Sequence, residues 1–136
     1  MNINEYKNKY GSKDVSNYKI YQNNGTLISI LNTVKSDELQ VTKNGRYFLR
    51  ITDALIDKTF LDYITKNPKL EGYIKAETLF RGLDGYDSKI NIDMPKVKLS
   101  NFKFKNICGE TANINFLFEL FIDSYKGYAV EYKISE

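Results

Sequence analysis

The sequence predicts an α+β domain: a mostly antiparallel sheet of six to eight strands with one main amphipathic helix packed on it. Turn signals stand between β-prone runs, as at Asn23-Asn24-Gly25 and Lys43-Asn44-Gly45. One convincing stretch, residues 52–66, repeats its apolar residues at helical spacing. The C-terminal third alternates apolar and polar residues almost throughout. With 136 residues, 42% hydrophobic and 27% charged, the chain reads as a single domain, 1–136, large enough to bury its own core. No repeat, linker or low-complexity tract divides it.

In chain order, residues 1–17 are polar and predict a loosely held arm. Tyr18 to Tyr21 reads as a strand, Gly25 as its turn, and Thr26 to Val34 as the returning strand. Glu38 to Thr42 and Arg46 to Ile51 flank Asn44-Gly45 and predict a second hairpin. Thr52 to Lys66 predicts the helix. Leu55, Ile56, Phe60, Tyr63 and Ile64 form its apolar stripe, Thr52 or Asp53 serves as N-cap, and Pro68 stops it. Residues 69–81 are divided. Glu71 and Lys75 suit a helix, whereas Ile74, Ala76, Thr78 and Phe80 alternate as a strand does, and Gly72 tips the reading towards strand or irregular structure.

Gly82 to Ser88 is turn chemistry. Ile90, Ile92 and Met94 alternate as far as Pro95, followed by Val97 and Leu99. Ser100-Asn101 then shifts the alternation by one before Phe102 and Phe104 resume it, which predicts a β-bulge. Ile114, Phe116, Phe118, Leu120 and Ile122 share one face of a central strand. Beyond the Ser124 to Gly127 turn, Tyr128, Val130, Tyr132 and Ile134 alternate, and this last hairpin is expected to form the backbone of the core.

Composition closes off several chemistries. There is no histidine, which excludes imidazole acid–base catalysis, His-dependent nucleophiles and His-ligated metals. One cysteine, Cys108, excludes an intrachain disulfide and a thiolate metal cage, and is expected to be a buried structural residue. The net charge of +3 is too small to mark a nucleic-acid binder by itself. Abundant Lys, Asn, Ile and Tyr with no Trp hints at a low-GC genome, that of a bacterium or its phage. The N-terminal residues lack the apolar core of a signal peptide, and no apolar run approaches the ~20 residues of a membrane helix. A cytoplasmic protein with no membrane association is therefore expected.

Some residues invite a sharper reading. Lys96, Lys98, Lys103 and Lys105 interleave with Val97, Leu99, Phe102 and Phe104, and no acidic residue falls among them. Such a stripe can neutralise phosphates, but lysine on an edge strand also serves to discourage aggregation. The acidic loop around Asp84 and Asp87, with Asp93 beyond, lacks the spacing of a calcium loop. Gly109-Glu110-Thr111 lacks the glycines and lysine of a phosphate loop. Asp123, Glu131 and Lys133 have the spacing D-x7-E-x-K, which resembles the motif of the PD-(D/E)xK nuclease superfamily. That resemblance implies two carboxylates holding Mg²⁺ and a lysine steadying the attacking water, although Ile122 stands where the motif has proline.

Eleven tyrosines offer adaptable contact surface. Tyr125, Lys126 and Tyr128 cluster at one turn, and Tyr86 sits in a loop. The function expected is that of a non-catalytic, cofactor-free protein-binding module. It fits the genre of small phage or mobile-element inhibitors, such as anti-CRISPR proteins, that block a partner's surface. The alternatives are nucleic-acid binding through the lysine stripe, small-ligand sequestration in a tyrosine-lined pocket, and the metal-dependent nuclease. An unpaired edge strand near Lys96 or Lys133 would also allow a homodimer.

Overall fold

Local turn chemistry lays down the first hairpins where the sequence places them. The computed structural model describes residues 12–81 and 87–135. Strand β1 (Ser12–Gln22) turns at Gly25, whose φ of 91° favours glycine, and pairs antiparallel with β2 (Leu27–Leu31). β3 (Ser36–Val41) turns likewise at Gly45 into β4 (Tyr47–Asp57). Then come helix α1 (Lys58–Lys66), β5 (Glu71–Arg81), the 22-residue β6 (Asp87–Cys108), β7 (Thr111–Leu120) and β8 (Glu131–Ser135). All the strand pairings are antiparallel, in the order β2-β1-β5-β6-β7-β4-β3, with β8 paired to β6.

The two ends of this order, β2 and β3, are consecutive in the chain. While β2 pairs with β1, the residues just beyond it bond to β4: Leu55 N donates to Thr33 O (2.9 Å) and Lys35 N to Thr52 O (3.1 Å). The chain from 27 to 41 thus crosses from one end of the sheet to the other and draws it round on itself. The Tyr18 hydroxyl on β1 donates to Asp37 on β3 across this closure.

β6 is the other long-range connector. Its first half pairs with β5 on one side and β8 on the other, and its second half pairs with β7. The inner face is apolar. Ile20, Ile51, Ile74, Ile90, Leu99, Phe116 and Phe118 are each at most 1% exposed. Helix α1 adds Phe60, Leu61 and Ile64 to this core, and the Phe60 ring lies 5.9 Å from that of Phe116. Such burial is the main favourable term in folding.

Several expectations stand as made. Residues 71–81 are a strand, the bulge falls between Leu99 and Asn101, and β7 is central, between β6 and β4. Others need correction. The helix begins at Lys58, not Thr52, and its N-cap is Asp57, whose Oδ1 accepts from Phe60 N at 2.8 Å. Residues 52–57 continue β4, with Ala54 and Ile56 pointing inward. Asp53, proposed as the cap, is instead a bulge residue at φ 53°. Its N–H donates to Asn115 Oδ1 (2.9 Å), and its carboxylate holds Lys105 at 3.0 Å.

Residues 12–17, assigned to the arm, belong to β1 and pair with β5, while residues 1–11 lie outside the described residues. The expected hairpin of β7 with the final strand does not form. Residues 121–130 carry the chain across to β6, so β8 lies beside Ile90 and Ile92 rather than beside Phe116.

Candidate functional site

Period-2 alternation that points one set of residues into the core points the other set outward. On β1 the outward set includes Lys19 and Tyr21, and on β5 it includes Tyr73, Lys75 and Glu77. On β6 it includes Asn91 and Asp93, and on β8 Glu131 and Lys133. Register places Lys19 opposite Lys75, Lys75 opposite Asp93, and Asp93 opposite Glu131. These rows, Tyr73 apart, line a groove of about 410 Å³ on the outer face, and Lys126 and Tyr128 from the β7–β8 connection form its rim. Tyr21 is fixed by stacking on Tyr73, with ring centroids 4.7 Å apart and planes 12° from parallel.

The connection itself is tightly held. The Asp123 side chain accepts from the N–H groups of Tyr125 and Lys126, both at 3.0 Å. Gly127 N donates to Asp123 O at 2.7 Å, and Asp123 N to Tyr128 O at 3.2 Å. Asp93 then ties the turn to the sheet. Its Oδ2 accepts from Lys126 Nζ (2.9 Å) and from the Tyr128 hydroxyl (2.6 Å). Burial works to raise the pKa of Asp93. The hydrogen bonds from Tyr128 and Lys126 and the charges of Lys126 and Lys75 outweigh it, so the carboxyl stays below its usual range. The same hydrogen bond, helped by burial, pushes Tyr128 up to about 12. Lys126 is raised by its bond to Asp93. At the tip of the turn Tyr125 is 98% exposed, with Ile122 at 62% and Phe121 at 36% nearby.

The structure therefore brings Tyr125, Lys126 and Tyr128 together on one turn, as the sequence placed them. It does not gather the lysine stripe into one basic surface. Lys98 faces Glu119 on one side and Glu71 on the other, Lys105 is paired with Asp53, and Lys103 lies opposite Asn115. Lys96 is exposed beside the bulge that follows Met94. Phe102 packs against the core, but Phe104 is 43% exposed. Tyr86 and Asp84 lie outside the described residues, as does the side chain of Cys108.

The nuclease trio is not assembled. Asp123 turns its carboxylate to the backbone N–H groups of Tyr125 and Lys126, and Glu131 is paired with Lys133 at 3.3 Å. Among the described residues no group of three or more Asp, Glu, Cys or His side chains could hold a metal ion. Among them, too, no helix is long and apolar enough to cross a membrane. Sequence reasoning missed the groove's other wall, Lys19, Tyr21 and Lys75. The outward alternation on β1 and β5 was a signal for it, but the pairing of those strands spans more than fifty residues. Comparisons of the chain with protein-family models, with curated proteins and with solved structures found no match.

Proposed function

We propose that the protein is a non-catalytic binding module that occupies the surface of a partner protein through the 121–128 turn. The observation that carries this reading is Tyr125. A large aromatic side chain 98% exposed gains nothing from the fold, yet the turn beneath it is fixed by four hydrogen bonds centred on Asp123, two of them to its side chain, and tied down by Asp93. Pre-organised aromatic anchors bind at low entropic cost, and exposed Ile122 and Phe121 extend the apolar contact. Four titratable groups of the groove fit the same reading. Asp93 and Glu77 are shifted down, and Lys126 and Tyr128 up, all away from neutrality, whereas a general acid or base works best near the operating pH. A small inhibitor from a phage or mobile element of a low-GC bacterium is the genre this fits, and the lysine-rich, Trp-free composition is in keeping with it.

Replacing Tyr125 with a photo-crosslinking benzoylphenylalanine tests the reading in a low-GC bacterial host. A discrete protein adduct is expected from position 125 and none from a control at exposed Lys43. Tyr125→Ala should abolish co-purification of that protein while changing stability by no more than about 0.5 kcal/mol. Adducts to nucleic acid alone, or equal adducts at both positions, would reject it.

A further inference from the structure

The outer groove carries a charge arrangement that the fold does not require. β1 and β5 place Lys19 directly opposite Lys75 on the outward face. Like charges directly opposite each other destabilise a sheet, and a neutral residue at position 19 would remove the cost. The fields of Lys19 and Lys75 act on Glu77 and Asp93, but the groove's carboxylates make their close ion pairs with other lysines. Asp93 holds Lys126 at 2.9 Å, Glu131 holds Lys133 at 3.3 Å, and Glu77 holds Lys89 at 3.0 Å. Among the described residues, neither Lys19 nor Lys75 has a carboxylate within the 4.0 Å of an ion pair. Two ammonium groups thus remain in a concave site of about 410 Å³, a volume typical of small-molecule pockets. Concavity concentrates their field on whatever enters.

Beside this pair lies an aromatic one. Tyr21 stands two residues from Lys19, and Tyr73 two from Lys75, so rings and ammonium groups form a block across the two strands. Residues two apart on a strand are about 7 Å apart, roughly the reach from a 5′-phosphate to the base of a nucleotide. Tyr21 lines the groove and is kept rigid by its stack on Tyr73. Asn91, on the neighbouring strand, brings an amide to the same groove.

We propose that this groove binds a nucleoside monophosphate, with the phosphate dianion bridging Lys19 and Lys75 and the base lying against Tyr21. Binding is non-covalent, and it is independent of the contact made by Tyr125.

Calorimetric titration with AMP, adenosine and inorganic phosphate separately, and with a twelve-nucleotide oligo-dT, tests it. The protein has no tryptophan, so quenching of tyrosine emission provides a second readout of stacking. AMP should bind at least about tenfold more tightly than either adenosine or phosphate, because one groove captures both parts. Lys19→Gln is the decisive variant. It relieves the like-charge pair with Lys75 without setting a second carboxylate against Asp93, so thermal stability should hold while AMP affinity falls at least about tenfold. Tyr21→Ala should reduce AMP to the level of phosphate, and Lys103→Gln should change nothing. The proposal fails if AMP binds no better than phosphate, or if Lys19→Gln binds AMP as the natural protein does. It also fails if only the oligonucleotide binds and its affinity follows Lys98 and Lys103.

Discussion

Asp93 sits where burial works to neutralise it, and its neighbours keep it charged. Tyr128 and Lys126 hydrogen-bond one oxygen while Lys75 adds its field, and the other oxygen is buried without a partner. Its folded pKa lies below the unfolded one, so its contribution to stability is complete above about pH 4 and is lost as pH falls through the folded value. Tyr128 runs the other way. Its folded pKa of about 12 exceeds the ordinary tyrosine value of 10.0, so its contribution is complete below pH 10 and fades between pH 10 and 12. Tyr128→Phe should cost about 1 kcal/mol at neutral pH, the scale of one hydrogen bond to a charged group discounted for partial exposure. Urea unfolding from pH 7 to 12 checks this, since the difference between the natural protein and the variant should shrink above pH 10. Lys126 and Tyr128 were legible in the sequence because they flank a recognisable turn. Asp93 was not, because its partners lie 33 and 35 residues away and nothing local to it announces them.

At the level of the element, the β4–α1 boundary shows where two periodicities compete. Ile56 suits both a helical stripe and a strand's inward face. The strand wins because Ala54 and Ile56 pair with β7 and fill the interior, while Asp53 absorbs the change of register in a left-handed conformation that Asp tolerates better than most residues. Helix formation then waits for Asp57, the first residue able to cap a turn clear of the sheet. Asp57→Ala should cost about 1 kcal/mol. Asp53→Ala should leave the helical circular dichroism intact while weakening the β4–β7 bulge, and comparing the far-ultraviolet spectra with the thermal midpoints separates the two. β5 was legible through Gly72. A Cβ there would lie 1.9 Å from the Tyr21 carbonyl oxygen, so only glycine permits β1 to approach. The β8 pairing was not legible, since alternation gives a strand's faces but does not name its neighbour.

Across the whole molecule, one core serves the inner faces of both halves of the sheet, and β6 spans both. Phe116→Ala removes a ring that is 1% exposed and lies between Phe60 and Phe118. It should cost about 3–5 kcal/mol. The loss should appear as a shift of one cooperative denaturant transition, with amides of β5, β6 and β7 exchanging only on global opening. Amides of β8, which among the described residues pairs with β6 alone, should exchange earlier by local opening. Two separate transitions would show instead that the halves fold independently. The class of fold was legible from turn signals and alternation. The closure through residues 27–41 was not, because a chain that changes pairing partner midway looks from its sequence like two ordinary strands.

The sharing of β6 also bears on how the chain comes off the ribosome. β1 and β2 can meet as soon as they emerge, but β1 finds its second partner only with β5, and β4 finds β7 only after some fifty further residues. Until Thr111–Leu120 is released, β4 has one side unpaired and α1 has no Phe116 to rest on. Nascent chains halted before that point would carry bare apolar edges that invite chaperones, so the late appearance of a single strand sets the moment at which the newborn protein becomes safe from aggregation.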